Sequence, residues 1–498
     1  MSSSALFRRI HRPITSITRV SICLLSLAVP SLCAADEESL SLEQVLQQVL
    51  DTYPSLQIAA KQVQRARLEN ARVEGQLSWA LGARAGVRRD LSFIGALSDQ
   101  TEASTHLQRK LTNGATVGLE GSYLREDADA VLSPAFPNPV TTTRLDLSWR
   151  QPLLKGTNNP DYAQGLVGAD AELVIVEAGR RALRDQVAAQ TAELFHAAGS
   201  TLARIQNAAH AIERTTRLRQ YIVGRTSLGL AEEKDLLQTD AQLQARIAER
   251  DVLLVVWKQQ RTSLNRLMGR AWDAPFSPQT TQVFDPLPPE PAALARRVQE
   301  NNPGLQRSQA QLRLAESAIM RKRDAAKDKL DFVVSYGNRT RSGDTALGSA
   351  VDDTARVGGL RLEYGRVLER RGPDAELDQA VLDRDIAQQE ISKTTDDLHY
   401  NLSGLLAEID ATQQALASYR NSLGREEAKL KEAERRYRTG RVETDRLIQY
   451  ETELYFAELS VAQQSIELAR KHTQLDILSG TLWQRVGLQT DQPGGAVP

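Results

Sequence analysis

Residues 436–483 read RYRTGRVETDRLIQYETELYFAELSVAQQSIELARKHTQLDILSGTLW, and two features of this stretch decide the fold. Leu447, Leu454, Val461, Leu468, Leu475 and Leu482 recur at every seventh position. A strict heptad keeps one apolar seam against a neighbouring helix and supercoils the pair to the left. Just before the seam, Thr439-Gly440-Arg441 marks a turn. The same layout stands 211 residues earlier. Arg225, Gly229, Glu232, Leu236, Gln238 and Leu243 recur as Arg436, Gly440, Glu443, Leu447, Gln449 and Leu454. Leu264, Leu267, Gly269 and Trp272 recur as Leu475, Leu478, Gly480 and Trp483. Ten matches at one offset describe a duplicated unit.

Working outward, proline placement sets the length of the helices. None occurs between Pro160 and Pro275, or between Pro373 and Pro493, and both gaps are rich in good helix formers. Each holds a segment of almost 70 residues up to Gly229 or Gly440, about 100 Å as helix. Each half opens with a further helix of about 26 residues, predicted over Pro54–Trp79 and Pro303–Asp328, and closes with an arm of 40 from one turn glycine to the next. Laid end to end, these two shorter pieces equal the long one. Residues 275–291 hold six prolines and must be an extended connector. The expected layout is a first repeat over 36–272, a connector over 273–292, a second repeat over 293–487, and a tail over 488–498.

Between opening and long helix, the period changes from 3.6 to 2. Leu145, Leu147 and Trp149 alternate with Arg144, Asp146, Ser148 and Arg150. Leu360, Leu362 and Tyr364 alternate with Arg361 and Glu363, and similar alternation runs through 81–88 and 330–338. A strand with lipid on one side and a wet lumen on the other has this pattern. A soluble sheet covering a core has it too. Four strands cannot close a barrel alone, and open edges in lipid would leave backbone groups unpaired. Inserted strands therefore require several chains to share one barrel. The first half carries 38 extra residues over 90–140, where Thr105–Lys110 and Ala115–Leu124 flank Thr112-Asn113-Gly114 as an additional hairpin. Periodicity leaves open whether that hairpin joins the barrel.

The 498-residue chain carries 62 basic and 63 acidic groups, which excludes a basic nucleic-acid binder. Arg8, Arg9, Arg12 and Arg19, an apolar run from Val20 to Val29, and Cys33-Ala34-Ala35 read as a secretory signal peptide over 1–35. Lipidation at Cys33 is the weaker reading, because Leu32 stands where a small residue is required. Both cysteines, Cys23 and Cys33, precede the expected cut, so disulfides and thiolate metal sites are excluded from the mature chain. Six histidines show no metal or triad spacing, and no phosphate-binding loop occurs. No catalytic, cofactor or metal residues are expected, and no enzyme.

Taken together, Tyr53-Pro54-Ser55-Leu56, the strand-to-helix junction around Pro152 (Gln151 to Gly156), and the turns Leu228-Gly229-Leu230 and Thr439-Gly440-Arg441 resemble the TolC family of outer-membrane efflux and secretion ducts. The resemblance covers nearly the whole mature chain. It implies a mainly α protein with β: a two-repeat coiled-coil tunnel through the periplasm, and a β-barrel completed in the outer membrane by a homotrimer. Four or more strands per chain are expected, and four would give a 12-stranded barrel. The connector and tail would form a belt midway. The turn residues Leu228, Gly229, Leu230, Thr439, Gly440 and Arg441 would meet a periplasmic adaptor (membrane fusion) protein, with an inner-membrane pump as the energy source. Leu145, Leu147, Trp149, Leu360, Leu362 and Tyr364 would face lipid.

Carried over by position, Asp235 matches a family aspartate and Tyr437 a family tyrosine of the periplasmic gate. The chain departs where well-known members place two aspartates one turn apart, since Arg446 and Gln449 stand here, and where they place a latch arginine, since Val442 stands here. An acidic, cation-selective gate is not supported. Three Arg446 side chains facing the lumen would favour anions; a solvated helix charge, or a pair with Glu443 or Asp445, is the other reading. The alternative function is a periplasmic coiled-coil adaptor or tether without a pore, which should contain one long hairpin rather than two matched copies.

Overall fold

The computed structural model describes residues 38–91, 96–229, 231–279, 291–345 and 350–486. The leader expected over 1–35, Leu230, most of the connector and the tail from 488 lie outside the described residues. The first half comprises β1 (Glu38–Leu40), α1 (Leu42–Thr52), α2 (Pro54–Glu74), β2 (Ala80–Leu91), β3 (Leu97–Lys110), β4 (Thr116–Ala128), β5 (Val140–Pro152), α3 (Pro160–Ser227) and α4 (Glu233–Leu267). After β6 (Phe276–Pro278) come α5 (Pro291–Asn301), α6 (Pro303–Ala325), β7 (Lys329–Asp344), β8 (Ala350–Gly365), α7 (Arg371–Arg438), α8 (Thr444–Ser479) and α9 (Thr481–Arg485).

Helices α3 and α7 are each 68 residues long, and both begin and end at positions 211 apart. Each half opens with two helices rather than the one expected. Pro54 and Pro303 push the residue before them out of the helical region, so Tyr53 (φ −69°, ψ 116°) and Asn302 (φ −71°, ψ 117°) break α1 from α2 and α5 from α6 in the same way.

The helices form a layer of four columns. Both α2 and α4 pack on α3, while α6 and α8 lie between α3 and α7. Within the first column α2 lies against the start of α3, where Asn70 Nδ2 donates to Asp170 Oδ1 at 2.7 Å. Towards the far end, α4 meets α3 through an Arg219–Asp240 ion pair. The buried heptad leucines of α8 (Leu447, Leu454, Leu468 and Leu475) face α7 and α3, with Leu482 continuing into α9. At mid-length, Val45, Leu46 and Val49 of α1, Phe195 of α3, Trp257 and Leu264 of α4, Phe276 of β6 and Trp483 of α9 form one core. A second core joins α5, α7 and α8, through Val298, Leu402, Ile409 and Leu475. A parallel pairing of β1 with β6 ties the start of the chain to the connector.

The sheet has six strands, within the expected four or more, in the order β2-β3-β4-β5-β7-β8, and every pairing is antiparallel. The additional hairpin is β3–β4, inserted between β2 and β5. Register places Leu81, Leu107, Leu119, Leu147 and Tyr336 in one row on one face. The adjacent row on the other face is Gly82, His106, Glu120, Asp146 and Gly337.

Halfway along α3, His196 is buried, and its Nε2 lies 3.0 Å from Thr473 Oγ1, whose hydroxyl donates to the Ala469 carbonyl. Burial pulls its pKa from 6.5 down to about 4. The neutral ring's contribution to stability is thus fully present above pH 6.5 and lost as pH falls through about 4. The stability of the purified protein is expected to fall as pH drops across that window, and to do so less steeply in His196→Gln. Leu264, fully buried in the mid-length core, is expected to cost about 2–5 kcal/mol when changed to Ala, read by denaturant unfolding.

Candidate functional site

The end of the helical layer away from the sheet consists of two matched turns. Leu228 (φ −96°, ψ 3°) ends α3 and Thr439 (φ −94°, ψ 7°) ends α7. The next residue is in the left-handed region in both: Gly229 at φ 68° and Gly440 at φ 70°. Their amides donate to the carbonyls of Thr226 and Tyr437, both at 3.0 Å. A side chain at either position would strain the backbone, which explains the glycines. Both turns are open to solvent, and Leu228 is 73% exposed.

Chemically the two turns differ. The first presents Leu228 with Glu232, Glu233 and Lys234. The second presents Arg435, Arg436, Arg438 and Arg441 together with Glu434, Glu443 and Asp445. Hydrogen bonds from Arg435 and Arg436 pull the Glu432 carboxyl down to about 2, so it stays charged and holds both guanidinium groups.

A buried network joins the turns to each other. Tyr437, 4% exposed, packs at 5.5 Å against the Tyr221 ring, and Arg225 lies over both rings. Arg225 Nη1 also donates to the Tyr437 carbonyl at 3.3 Å. Thr444 Oγ1 donates to Asp235 Oδ2 at 3.0 Å, which leaves the Tyr437 hydroxyl to donate to Thr444, also at 3.0 Å. Burial raises the Tyr437 pKa, keeping the phenol neutral and able to donate. Asp235 of the first arm and Tyr437 of the second thus meet through Thr444. Sequence reading missed Thr444, Tyr221 and Arg225 as partners. The only signal was the recurrence of Arg225 as Arg436.

Arg446 and Gln449 lie elsewhere, on the exposed face of α8. Arg446 Nη1 donates to Gln449 Oε1 at 3.1 Å, and Gln449 Nε2 donates to Glu453 Oε1 at 2.8 Å. Neither Glu443 nor Asp445 takes the Arg446 guanidinium. One row up the arm, Arg214 binds Glu451 at 2.9 Å and Glu458 at 3.0 Å, clamping α3 to α8.

At the opposite end, Leu145, Leu147, Trp149, Leu360, Leu362 and Tyr364 are exposed on one face of the sheet. Trp149 packs edge-on against Phe332 at 6.2 Å. Pro152 ends β5, and its carbonyl accepts from Thr157 Oγ1 at 3.3 Å. No helix among the described residues is long and apolar enough to cross a membrane, and no metal-binding cluster occurs among them.

Replacing Thr444 by Val keeps the shape but leaves the Asp235 carboxylate and Tyr437 hydroxyl without their bridge. The expected cost is about 1–3 kcal/mol, seen as faster amide exchange over 225–240 and 436–447 with the mid-length core unchanged.

No family profile and no curated protein matches the chain. Solved structures do. The outer-membrane channel OprN aligns with a TM-score of 0.68 at 18% identity, covering 89% of this chain and 90% of that one. The open state of the Neisseria gonorrhoeae MtrE outer membrane channel aligns at 0.64 and 16%, covering 88% of each chain. The Vibrio cholerae outer membrane protein VceC aligns at 0.63 and 14%, covering 90% of this chain and 96% of that one. With two matched rods of helices, paired glycine turns and a sheet apolar on one face, the chain has the fold of the TolC family of outer-membrane channels.

Proposed function

We propose that this chain is one subunit of a homotrimeric exit duct that sits in the bacterial outer membrane and reaches through the periplasm. The carrying observation is that a single copy is unfinished on both sides. Edge strands β2 and β8 run in opposite directions, so β8 of one copy can pair with β2 of the next in the antiparallel pattern used throughout the sheet. The outer columns are open too: Ile58 and Leu68 of α2, and Leu382, Ile386 and Tyr400 of α7, are exposed. Three copies in a ring would cover these flanks and leave a water-filled interior.

The duct is passive. It moves solute or secreted protein down its gradient, performs no catalysis, and takes its drive from an inner-membrane pump through an adaptor seated on the two turns. The basic character of the second turn favours an adaptor with acidic hairpin ends opposite Arg438 and Arg441. Leu145, Leu147, Trp149, Leu360, Leu362 and Tyr364 face lipid in this reading. Asp235 and Tyr437 hold the closed gate together, while Arg446 and Gln449 line its mouth.

Purified protein reconstituted in a planar bilayer is expected to conduct and to run as a trimer in mild detergent. A monomer that never forms pores would overturn the duct. With Arg446 at the mouth, Arg446→Glu is expected to shift the reversal potential in a salt gradient towards cation preference; an unchanged potential removes Arg446 from the gate.

A further inference from the structure

We infer that the inserted hairpin β3–β4 is part of the membrane wall, so that the duct crosses the membrane as an 18-stranded barrel rather than a 12-stranded one. This rests on the trimeric reading above, and three observations carry it beyond that reading.

The first is position. The hairpin is not appended to an edge. It separates β2 from β5, pairs with β2 over 12 residues of β2, and pairs with β5 over 11 residues of β4. Leaving it out of the wall would put β2 and β5 about 14 Å apart, three strand spacings, with no partner for either facing edge.

The second is chemistry. Lipid demands apolar side chains on one face of every strand, and the hairpin supplies them in register. Leu107 and Leu119 continue the row from Leu81 to Leu147, while Val117 sits beside Trp149, and Ala103 between Ala85 and Tyr123. The opposite face carries Gln100, Glu102, His106, Glu120 and Glu126. Arg88 Nε donates to Gln100 Oε1 at 2.6 Å and Gln100 Nε2 to Glu126 Oε1 at 3.0 Å, a polar chain running across β2, β3 and β4. The hairpin turn is also locked to the strand-to-helix junction. Asn158 N–H donates to the Asn113 carbonyl at 3.1 Å, and Asn159 Nδ2 to the Leu111 carbonyl at 3.3 Å. Gly114, at φ 87°, lies so close that a Cβ there would stand 2.3 Å from the Gly156 carbonyl oxygen.

The third is fit. Four helical columns spaced about 9–10 Å apart span roughly 38 Å of circumference per chain. Six strands about 4.8 Å apart and tilted by about 40° span the same roughly 38 Å, whereas four would span about 25 Å. Six strands let the barrel meet the tunnel without narrowing, so the channel is about half as wide again in the membrane as a four-strand chain would make it. Selection by size then falls to the helix turns, and cargo as bulky as the tunnel passes the membrane unhindered.

The mature chain, free of cysteine in this reading, allows a direct test in vesicles containing the trimer. Single cysteines go on the hairpin's polar face (Glu102→Cys, Glu120→Cys), on its apolar face (Ala103→Cys, Leu119→Cys), and on β5 as reference (Arg144→Cys, Leu145→Cys). A membrane-impermeant maleimide is expected to label 102, 120 and 144 at least tenfold faster than 103, 119 and 145, and bulky adducts at 102 and 120 should lower conductance. Equal labelling of all four hairpin positions, with 144 and 145 still contrasting, would overturn the inference and leave the duct standing. Loss of the contrast at 144 and 145 as well would bring down both.

Discussion

A strand in hydrocarbon cannot leave its outer amides and carbonyls unpaired, because no water is present to satisfy them. Much of this architecture follows from that constraint. The sheet is apolar on one face and charged on the other, yet it ends in two free edges, β2 and β8. Its even number of antiparallel strands makes those edges run in opposite directions, so copies can join without a change of pattern. The helical layer repeats the theme in water, where the exposed leucines and tyrosines of α2 and α7 need covering for a different reason, the removal of apolar surface from solvent.

Duplication solves the geometry of the rods. Two short helices end to end match one long helix only if the breaks fall at fixed places, and prolines and left-handed glycines fix them. One core lies at mid-length, where α1, α9 and the β1–β6 pairing wrap the long helix. Along α3, buried alanines such as Ala188, Ala198 and Ala208 allow close approach. At the turns a polar network adds to an apolar core of Leu218, Ile222, Leu430, Leu447 and Ile448. A chain of hydrogen bonds from Tyr437 through Thr444 to Asp235 is directional and can be broken and remade.

Much of this was legible in the residues. The heptad from Leu447 to Leu482, the 211-residue offset and the alternation in 143–150 and 358–365 each report one physical period, and each maps onto an observed element. The hairpin was visible as strands but not as part of the sheet. Its lipid-side residues include Thr105 and Gly121, which blur alternation, and pairing between β2 and β5 is a long-range fact that no local period encodes. The first opening helices, α1 and α5, were missed although α1 carries a legible signal, the Ser41–Gln44 capping box ahead of Leu42, Val45, Leu46 and Val49. The Tyr437–Thr444–Asp235 contact joins positions more than 200 residues apart and depends on how two arms cross, so only the three-dimensional arrangement reveals it.

The account turns on the completion of the free edges by neighbouring copies. Amide hydrogen exchange on the assembled protein in lipid tests this strand by strand, since alternate amides of β2 and β8 point away from their own sheet. Protection of those outward amides as strong as that in the central strand β5 is the result the account predicts. Rapid exchange along both outer edges, with β5 protected, would contradict it.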